Sequence, residues 1–130
     1  MSSVVLDTNV LIRMLAAMDR IPASFSQYER VLIPSVVVGE YRAGLFANNA
    51  GIQAARKFDE YTGRATVDTV PVTDRTAELY AKVYQALRAK GTPIPQNDLW
   101  IAASALEYGA DIATHDEHFC LVPMLTVIVM

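Results

Sequence analysis

Residues 4–10 read Val4-Val5-Leu6-Asp7-Thr8-Asn9-Val10. Three consecutive apolar residues, two of them β-branched, describe a short strand buried on both faces. An aspartate and two small polar residues follow at once, so Asp7 stands where that strand stops. Two readings are open for it. It is the N-cap of a following helix, a frequent role for both Asp and Thr, or it is one wall of a metal site.

Outward from this stretch, short apolar runs alternate with helical periodicity. Val10, Leu11, Met14 and Leu15 predict a helix over Thr8 to Ala17. A loop with Asp19 and Pro22 leads to a helical stretch near Ser24 to Glu29. Val31-Leu32-Ile33 is a second buried strand, and Pro34-Ser35 opens a helix running to about Phe46. Residues 49–63 form another helix, ending at Gly63. Ala65 to Val70 is a third strand, less apolar and suited to a sheet edge. The longest helix covers Thr73 to Lys90, with Ala77, Tyr80, Ala81, Tyr84 and Leu87 as its stripe and Gly91 as its stop. A helix from near Asn97 to Gly109 follows, then strands at Asp111 to Thr114 and Thr126 to Val129. Without repeat or linker, the expectation is one domain over residues 1–130. Its class is α/β, a central parallel sheet of about five strands flanked by helices on both faces. Such sheets bind ligands beyond the carboxyl ends of their strands, where Asp7 lies.

Hydrophobic residues make up 52% of the chain and charged residues 19%, which leaves apolar surface for a partner. A net charge of −3 argues against nucleic acid at first sight, but bound cations invert the local field of a carboxylate cluster. Cys120 is the only cysteine, which excludes an intrachain disulfide and a cysteine-based zinc site. No apolar run nears the roughly 18 residues that cross a bilayer, and the N-terminus lacks a signal-peptide pattern. A cytoplasmic protein with no membrane partner is expected.

Three further acids stand in places that surface residues do not favour. Glu40 follows Ser35-Val36-Val37-Val38-Gly39, and Val36, Val37, Ala43 and Gly44 share its helical face. Ser35 makes a good N-cap, yet the capping-box position is Val38, so Glu40 is no capping acid. A glutamate is rarely buried unpaired; a salt bridge to Arg13 is the structural alternative. Asp98 follows Asn97, a candidate N-cap, and as the first helical residue it would suit the helix dipole. Ile101, Ala102 and Ala105 nevertheless share its face and turn it inward. Ile112-Ala113-Thr114-His115-Asp116 repeats the opening pattern, with Asp116 just beyond a short strand and Asp111 at its far end. Asp116 also reads as a cap for the turn Glu117-His118-Phe119. Four carboxylates at one sheet edge would repel one another and raise each other's pKa. Mg²⁺ or Mn²⁺, which take oxygen ligands and keep waters, relieve that repulsion.

Asp7-Thr8-Asn9, the Ser35-to-Glu40 spacing, Asn97-Asp98-Leu99-Trp100-Ile101-Ala102-Ala103 and Thr114-His115-Asp116-Glu117-His118-Phe119 together resemble the PIN-domain nucleases. Within that family the resemblance is to the VapC toxins of prokaryotic toxin–antitoxin pairs, and it runs from residue 4 to 119. It implies a metal-binding catalytic set of Asp7, Glu40, Asp98 and Asp116, with Thr8, Asn9 and Thr114 orienting those ligands. His115 is a mild departure from the family pattern. The implied activity is Mg²⁺-dependent cleavage of phosphodiesters in structured RNA such as tRNA or ribosomal RNA, with Mn²⁺ as an alternative metal. The implied partners are a second copy of the chain, in a homodimer, and a cognate antitoxin whose C-terminal segment fills a groove. Arg13 is a candidate phosphate contact, and Arg42, Arg56, Lys57 and Arg64 are candidates for a wider RNA path. Phe25, Tyr28 and Phe46 are candidates for apolar groove contacts or for core packing.

Two other functions compete. A HAD-type phosphatase also begins with an aspartate after a strand, but it wants a second aspartate where this chain has Asn9. A non-catalytic RNA- or protein-binding module has no reason to gather four acids. No covalent nucleophile stands out, since Ser104 falls inside a helix and Cys120 has no motif around it.

Overall fold

The computed structural model describes residues 2–17, 21–47 and 51–130. Five strands, β1 (Ser3–Leu6), β2 (Arg30–Pro34), β3 (Val67–Val70), β4 (Asp111–Thr114) and β5 (Val127–Val129), form one sheet in the order β3-β2-β1-β4-β5. Every neighbouring pair is parallel. Parallel strands need crossover connections, and these are the helices α1 (Thr8–Ala16), α2 (Ser35–Ala47), α3 (Gly51–Thr62), α4 (Asp74–Ala89) and α5 (Gln96–Glu107). Helices flank the sheet on both faces. The opening stretch explains the centre of the fold: Val4, Val5 and Leu6 are fully buried, as a middle strand covered on both faces requires.

The strand order reverses between β1 and β4. Leu6 lies beside Ala113 in the register, and the Asp7 amide donates to the Ala113 carbonyl at 3.0 Å. The chain thus leaves the sheet at Asp7 and at Thr114 side by side, at the switch point where open α/β sheets form their ligand crevice.

Several expectations need correction. The stretch near Ser24 to Glu29 is a 3₁₀ turn, Ala23–Gln27, held by Phe25 in the core. Ser35 does not cap α2; its hydroxyl donates to the Val70 carbonyl at 3.0 Å, tying the start of α2 to the end of β3. The third strand starts at Val67 rather than Ala65, because residues 63–66 turn, and it lies at the sheet edge as its composition suggested. The start of the helix expected at 49–63 and Asp19 of the first loop lie outside the described residues. The stripe of α4 is rotated: Thr76, Val83 and Leu87 are buried, while Ala77, Ala81 and Tyr84 are exposed. Thr76 goes inward because its hydroxyl is occupied, donating to Glu107 and accepting from the Thr73 amide in a capping box. Asn97 and Asp98 sit two positions deeper in the helix than expected, since α5 starts at Gln96 with Pro95 as N-cap. Helices α4 and α5 both stop at a left-handed glycine, Gly91 (φ 70°) and Gly109 (φ 60°), where a side chain would be strained.

Candidate active site

The first acid is fixed by its own helix. Asp7 is the N-cap of α1, its Oδ1 accepting from the Thr8 amide at 2.8 Å. Its Oδ2 accepts from the buried Thr114 hydroxyl, at the end of β4, at 2.7 Å. The capping reading and the site reading are therefore compatible: one oxygen caps, and each carboxylate oxygen, accepting one hydrogen bond, has a second lone pair left. Thr114 in turn accepts from the Asp116 amide at 2.9 Å, so a single hydroxyl sets the position of two acids.

Glu40 comes from the middle of α2 and is half-buried rather than facing the core squarely. The Thr8 hydroxyl donates to its Oε1 at 2.7 Å, and the Asn97 amide group donates to its Oε2 at 3.4 Å. The salt bridge to Arg13 is not formed; Arg13 is exposed on α1. Asp98 lies in the first turn of α5 and is half-buried, with Ile101, Ala102 and Ala105 of the same face in the core. Asp116 caps the 3₁₀ turn Glu117–Leu121, its Oδ1 accepting from the His118 amide at 2.9 Å.

These positions make the site electrostatically tense. Burial, then the charges of Asp7, Asp116 and Glu40, push the Asp98 carboxyl up from 3.8 to about 6. Burial also raises Asp7, helped by Glu40 and Asp116 and opposed by the hydrogen bonds from Thr114 and Thr8. No lysine or arginine pairs with any of the four acids among the described residues. All four donors are carboxylates with free oxygen lone pairs, and their proximity costs free energy that a divalent cation would remove. That chemistry fits a hard divalent ion with oxygen ligands.

Two residues of the neighbourhood had no place in the sequence-based site. Asn97 serves Glu40 instead of capping α5. His118 Nδ1 lies 3.1 Å from Asp116 Oδ2, and one donor atom each of Asp98, Asp116 and His118 lie within 4.8 Å of one another. The signal for His118 was its spacing, two residues after a cap aspartate, where a short turn brings a side chain back over the cap. Asn9 is exposed and makes no side-chain hydrogen bond to an acid among the described residues. His115 points elsewhere, its Nδ1 3.1 Å from the Met130 carbonyl. Asp111 sits at the opposite end of β4, accepting from the Tyr28 hydroxyl at 2.7 Å.

The candidate surface residues divide. Phe25 belongs to the core and the Tyr28 hydroxyl donates to Asp111, while the edges of both line a groove with Ile21, Tyr61 and Val67. Phe46 is 87% exposed at the end of α2, beside the similarly exposed Ile52. Arg42 lies 4.9 Å over the Phe58 ring and Arg64 5.3 Å over Tyr61, while Lys57 lines a groove with Ile12, Leu15 and Tyr41. No helix among the described residues is long and apolar enough to cross a membrane.

Residues 4–124 match the family model of the PIN domain. The chain is 31% identical over 107 residues to Ribonuclease VapC4 of Mycobacterium tuberculosis, covering 82% of each chain. It is 30% identical over 115 residues to Ribonuclease VapC1 of Haemophilus influenzae, covering 85% of this chain and 84% of the relative. Among solved structures, the VapBC-5 toxin–antitoxin complex of Mycobacterium tuberculosis aligns over 100% of both chains with a TM-score of 0.75 and 28% identity. VapBC2 of Rickettsia felis, bound to promoter DNA, aligns over 98% of both with a TM-score of 0.84 and 21% identity, a likeness of fold. With its acids gathered at the sheet's switch point and this match over nearly all its length, the chain belongs to the PIN-domain family, among its VapC-like members.

Proposed function

We propose that this protein is a metal-dependent endoribonuclease and the toxin of a toxin–antitoxin pair, hydrolysing phosphodiester bonds in structured RNA. The observation that carries the reading is the convergence of Asp7, Glu40, Asp98 and Asp116 with no lysine or arginine paired to them among the described residues, which leaves Asp98 at about 6. A site built only for stability would pair those charges, because unpaired clustered carboxylates destabilise a fold.

Asp7, Glu40, Asp98 and Asp116 would hold Mg²⁺ or Mn²⁺. The bound ion would supply Lewis acidity toward a phosphoryl oxygen and a water made acidic enough to attack. The protein's own part is orientation. Thr114 and Thr8 hold Asp7 by both oxygens, Thr8 and Asn97 hold Glu40, and the Thr114 hydroxyl fixes the Asp116 backbone. Ser104 is buried and donates to the Trp100 carbonyl, so it is not available as a nucleophile. A fully ionised set of acids also repels the RNA backbone, which makes the apo protein a poor binder of its substrate.

The relatives' names support the ribonuclease role, the likeness to the VapBC-5 toxin–antitoxin complex supports the toxin role, and the surface supports a protein partner. The groove lined by Ile12, Leu15, Tyr41, Leu45 and Lys57 runs toward exposed Phe46 and Ile52, an apolar strip suited to an antitoxin segment. A homodimer in the cytoplasm is the assembly that the family resemblance implies. Arg13, exposed on α1, is a candidate for an RNA phosphate contact.

Incubating purified protein with total tRNA and ribosomal RNA, in Mg²⁺, Mn²⁺ or EDTA, tests the reading. Cleavage is expected only with metal, and a loss of at least about 100-fold on Asp7→Asn, Glu40→Gln, Asp98→Asn or Asp116→Asn. Wild-type rates from both Glu40→Gln and Asp98→Asn would overturn the site, and cleavage in EDTA would overturn the metal dependence.

A further inference from the structure

The acids account for the oxygen donors of the site, but the geometry adds a nitrogen. His118 stands on the 3₁₀ turn that Asp116 caps, with its amide donating to Asp116 Oδ1 at 2.9 Å and its ring Nδ1 3.1 Å from Asp116 Oδ2. Two contacts from one carboxylate thus hold both the backbone and the ring of the same residue. Asp98 reaches the same point from α5, across the switch point. One donor atom from each of the three residues lies within 4.8 Å of the other two. Ligands of one octahedral Mg²⁺ or Mn²⁺, bonded at about 2.1–2.2 Å, lie about 3 Å apart when adjacent and about 4.2–4.4 Å apart when opposite. Three donors gathered inside 4.8 Å come within reach of one ion once the side chains draw inward, which the exposed His118 ring is free to do. The ring also has freedom to complete the set, since its side chain is 55% exposed and its only polar partner among the described residues is Asp116.

We propose that His118 is a ligand of the site's divalent ion through a ring nitrogen, alongside Asp98 and Asp116, and that it tilts the site's preference from Mg²⁺ toward Mn²⁺. This rests on the metal-dependent reading above and deepens it. A site of carboxylates and water suits Mg²⁺; one imidazole among them favours the later divalent metals of the first transition row, which bind nitrogen more strongly. The consequence for the chain is a division of labour. Glu40 and Asp7, fixed by Thr8 and Thr114, supply charge, while the Asp98–Asp116–His118 side decides which metal is held most tightly.

Electron paramagnetic resonance of Mn²⁺ in the purified protein reads both questions. Titration of the free-ion signal measures affinity, and spin-echo modulation detects nitrogen bound directly to Mn²⁺. Wild type is expected to bind Mn²⁺ with a nitrogen modulation whose frequencies change when the histidines carry ¹⁵N. His118→Gln is expected to lose that modulation, to weaken Mn²⁺ binding about ten-fold, and to weaken Mg²⁺ binding, measured by competition, several-fold less. His115→Gln is the control and keeps the nitrogen signal. Thermal melts confirm that each variant is folded. Mn²⁺ binding without histidine nitrogen modulation would overturn the ligand assignment and leave the acid site standing. Equal weakening of Mg²⁺ and Mn²⁺ in His118→Gln would do the same, since it marks His118 as a residue that only positions Asp116. Absence of any Mn²⁺ binding by wild type would overturn the metal reading together with this inference.

Discussion

Asp98→Asn should make the metal-free protein more stable at neutral pH while making it less able to respond to metal. The Asp98 carboxyl is raised from 3.8 to about 6, first by burial and then by Asp7, Asp116 and Glu40. Because the folded value lies above the unfolded one, this group favours the fold below about pH 4 and the contribution is lost as pH rises through about 6. Raising a carboxyl from 3.8 to about 6 corresponds to about 3 kcal/mol. Asp98 is only half-buried, so solvent screening reduces this to between about 1 and 2 kcal/mol. The favourable helix dipole in the first turn of α5 works the other way by about 0.5 kcal/mol. The net gain of the amide is then about 1 kcal/mol, or roughly 3–4 °C in Tm for a chain of this size. Near pH 4 the two proteins should converge, since the wild-type carboxyl is then protonated as well. With Mn²⁺ at a thousand times its Kd, wild type gains about 4 kcal/mol by mass action, and the order of the two melting points should reverse. Circular-dichroism melts of both proteins, in EDTA and in Mn²⁺, across pH 4 to 8, make the measurement. A structural acid behaves oppositely: breaking a buried pair costs about 3–5 kcal/mol. A variant that melts lower than wild type in EDTA at pH 7, with an undiminished Mn²⁺ shift, would refute the reasoning.

Three further outcomes are expected. Thr114→Val should lower Mn²⁺ affinity and RNA cleavage by about 10–100-fold, because the hydroxyl holds both Asp7 Oδ2 and the Asp116 amide; Thr114→Ser should restore most of both, and an unimpaired valine variant would show that the hydroxyl is dispensable. Tyr28→Phe should cost about 0.5–1.5 kcal/mol in denaturant melts without changing the cleavage rate, since its partner Asp111 lies at the amino end of β4; a large fall in kcat would contradict the separation of the two sheet ends. Expression of the chain alone should arrest bacterial growth, with relief by Asp7→Asn or by co-expression of a cognate antitoxin; harmless expression of an active enzyme in several hosts would count against the toxin role.

Much of this protein was legible in one dimension. The apolar triplet Val4-Val5-Leu6, the second one at Val31-Leu32-Ile33 and the repeat of strand, Thr and Asp near Thr114 define a parallel sheet, because a strand buried on both faces needs no alternation. Once the sheet is parallel, chain direction alone puts Asp7 and Asp116 at its carboxyl edge. Spacing on a helix likewise brought Glu40 and Asp98 to apolar faces, since residues three and four apart are neighbours whatever lies opposite. What the pattern left open was how each helix is rotated and which side chains meet across it. The stripe of α4 turned out rotated toward Thr76 because Glu107, 31 positions later, occupies that hydroxyl. Ser35 and Asn97 look like caps locally, but partners on other elements, Val70 and Glu40, take their polar groups. The pairs that orient the acids span 32 positions between Thr8 and Glu40 and 107 between Asp7 and Thr114. His118 enters the site through a 3₁₀ turn too short to show a period of its own. Periodicity reports which face of an element is buried, whereas a hydrogen bond depends on distances of a few tenths of an ångström between elements, and only the packed sheet and helices determine those.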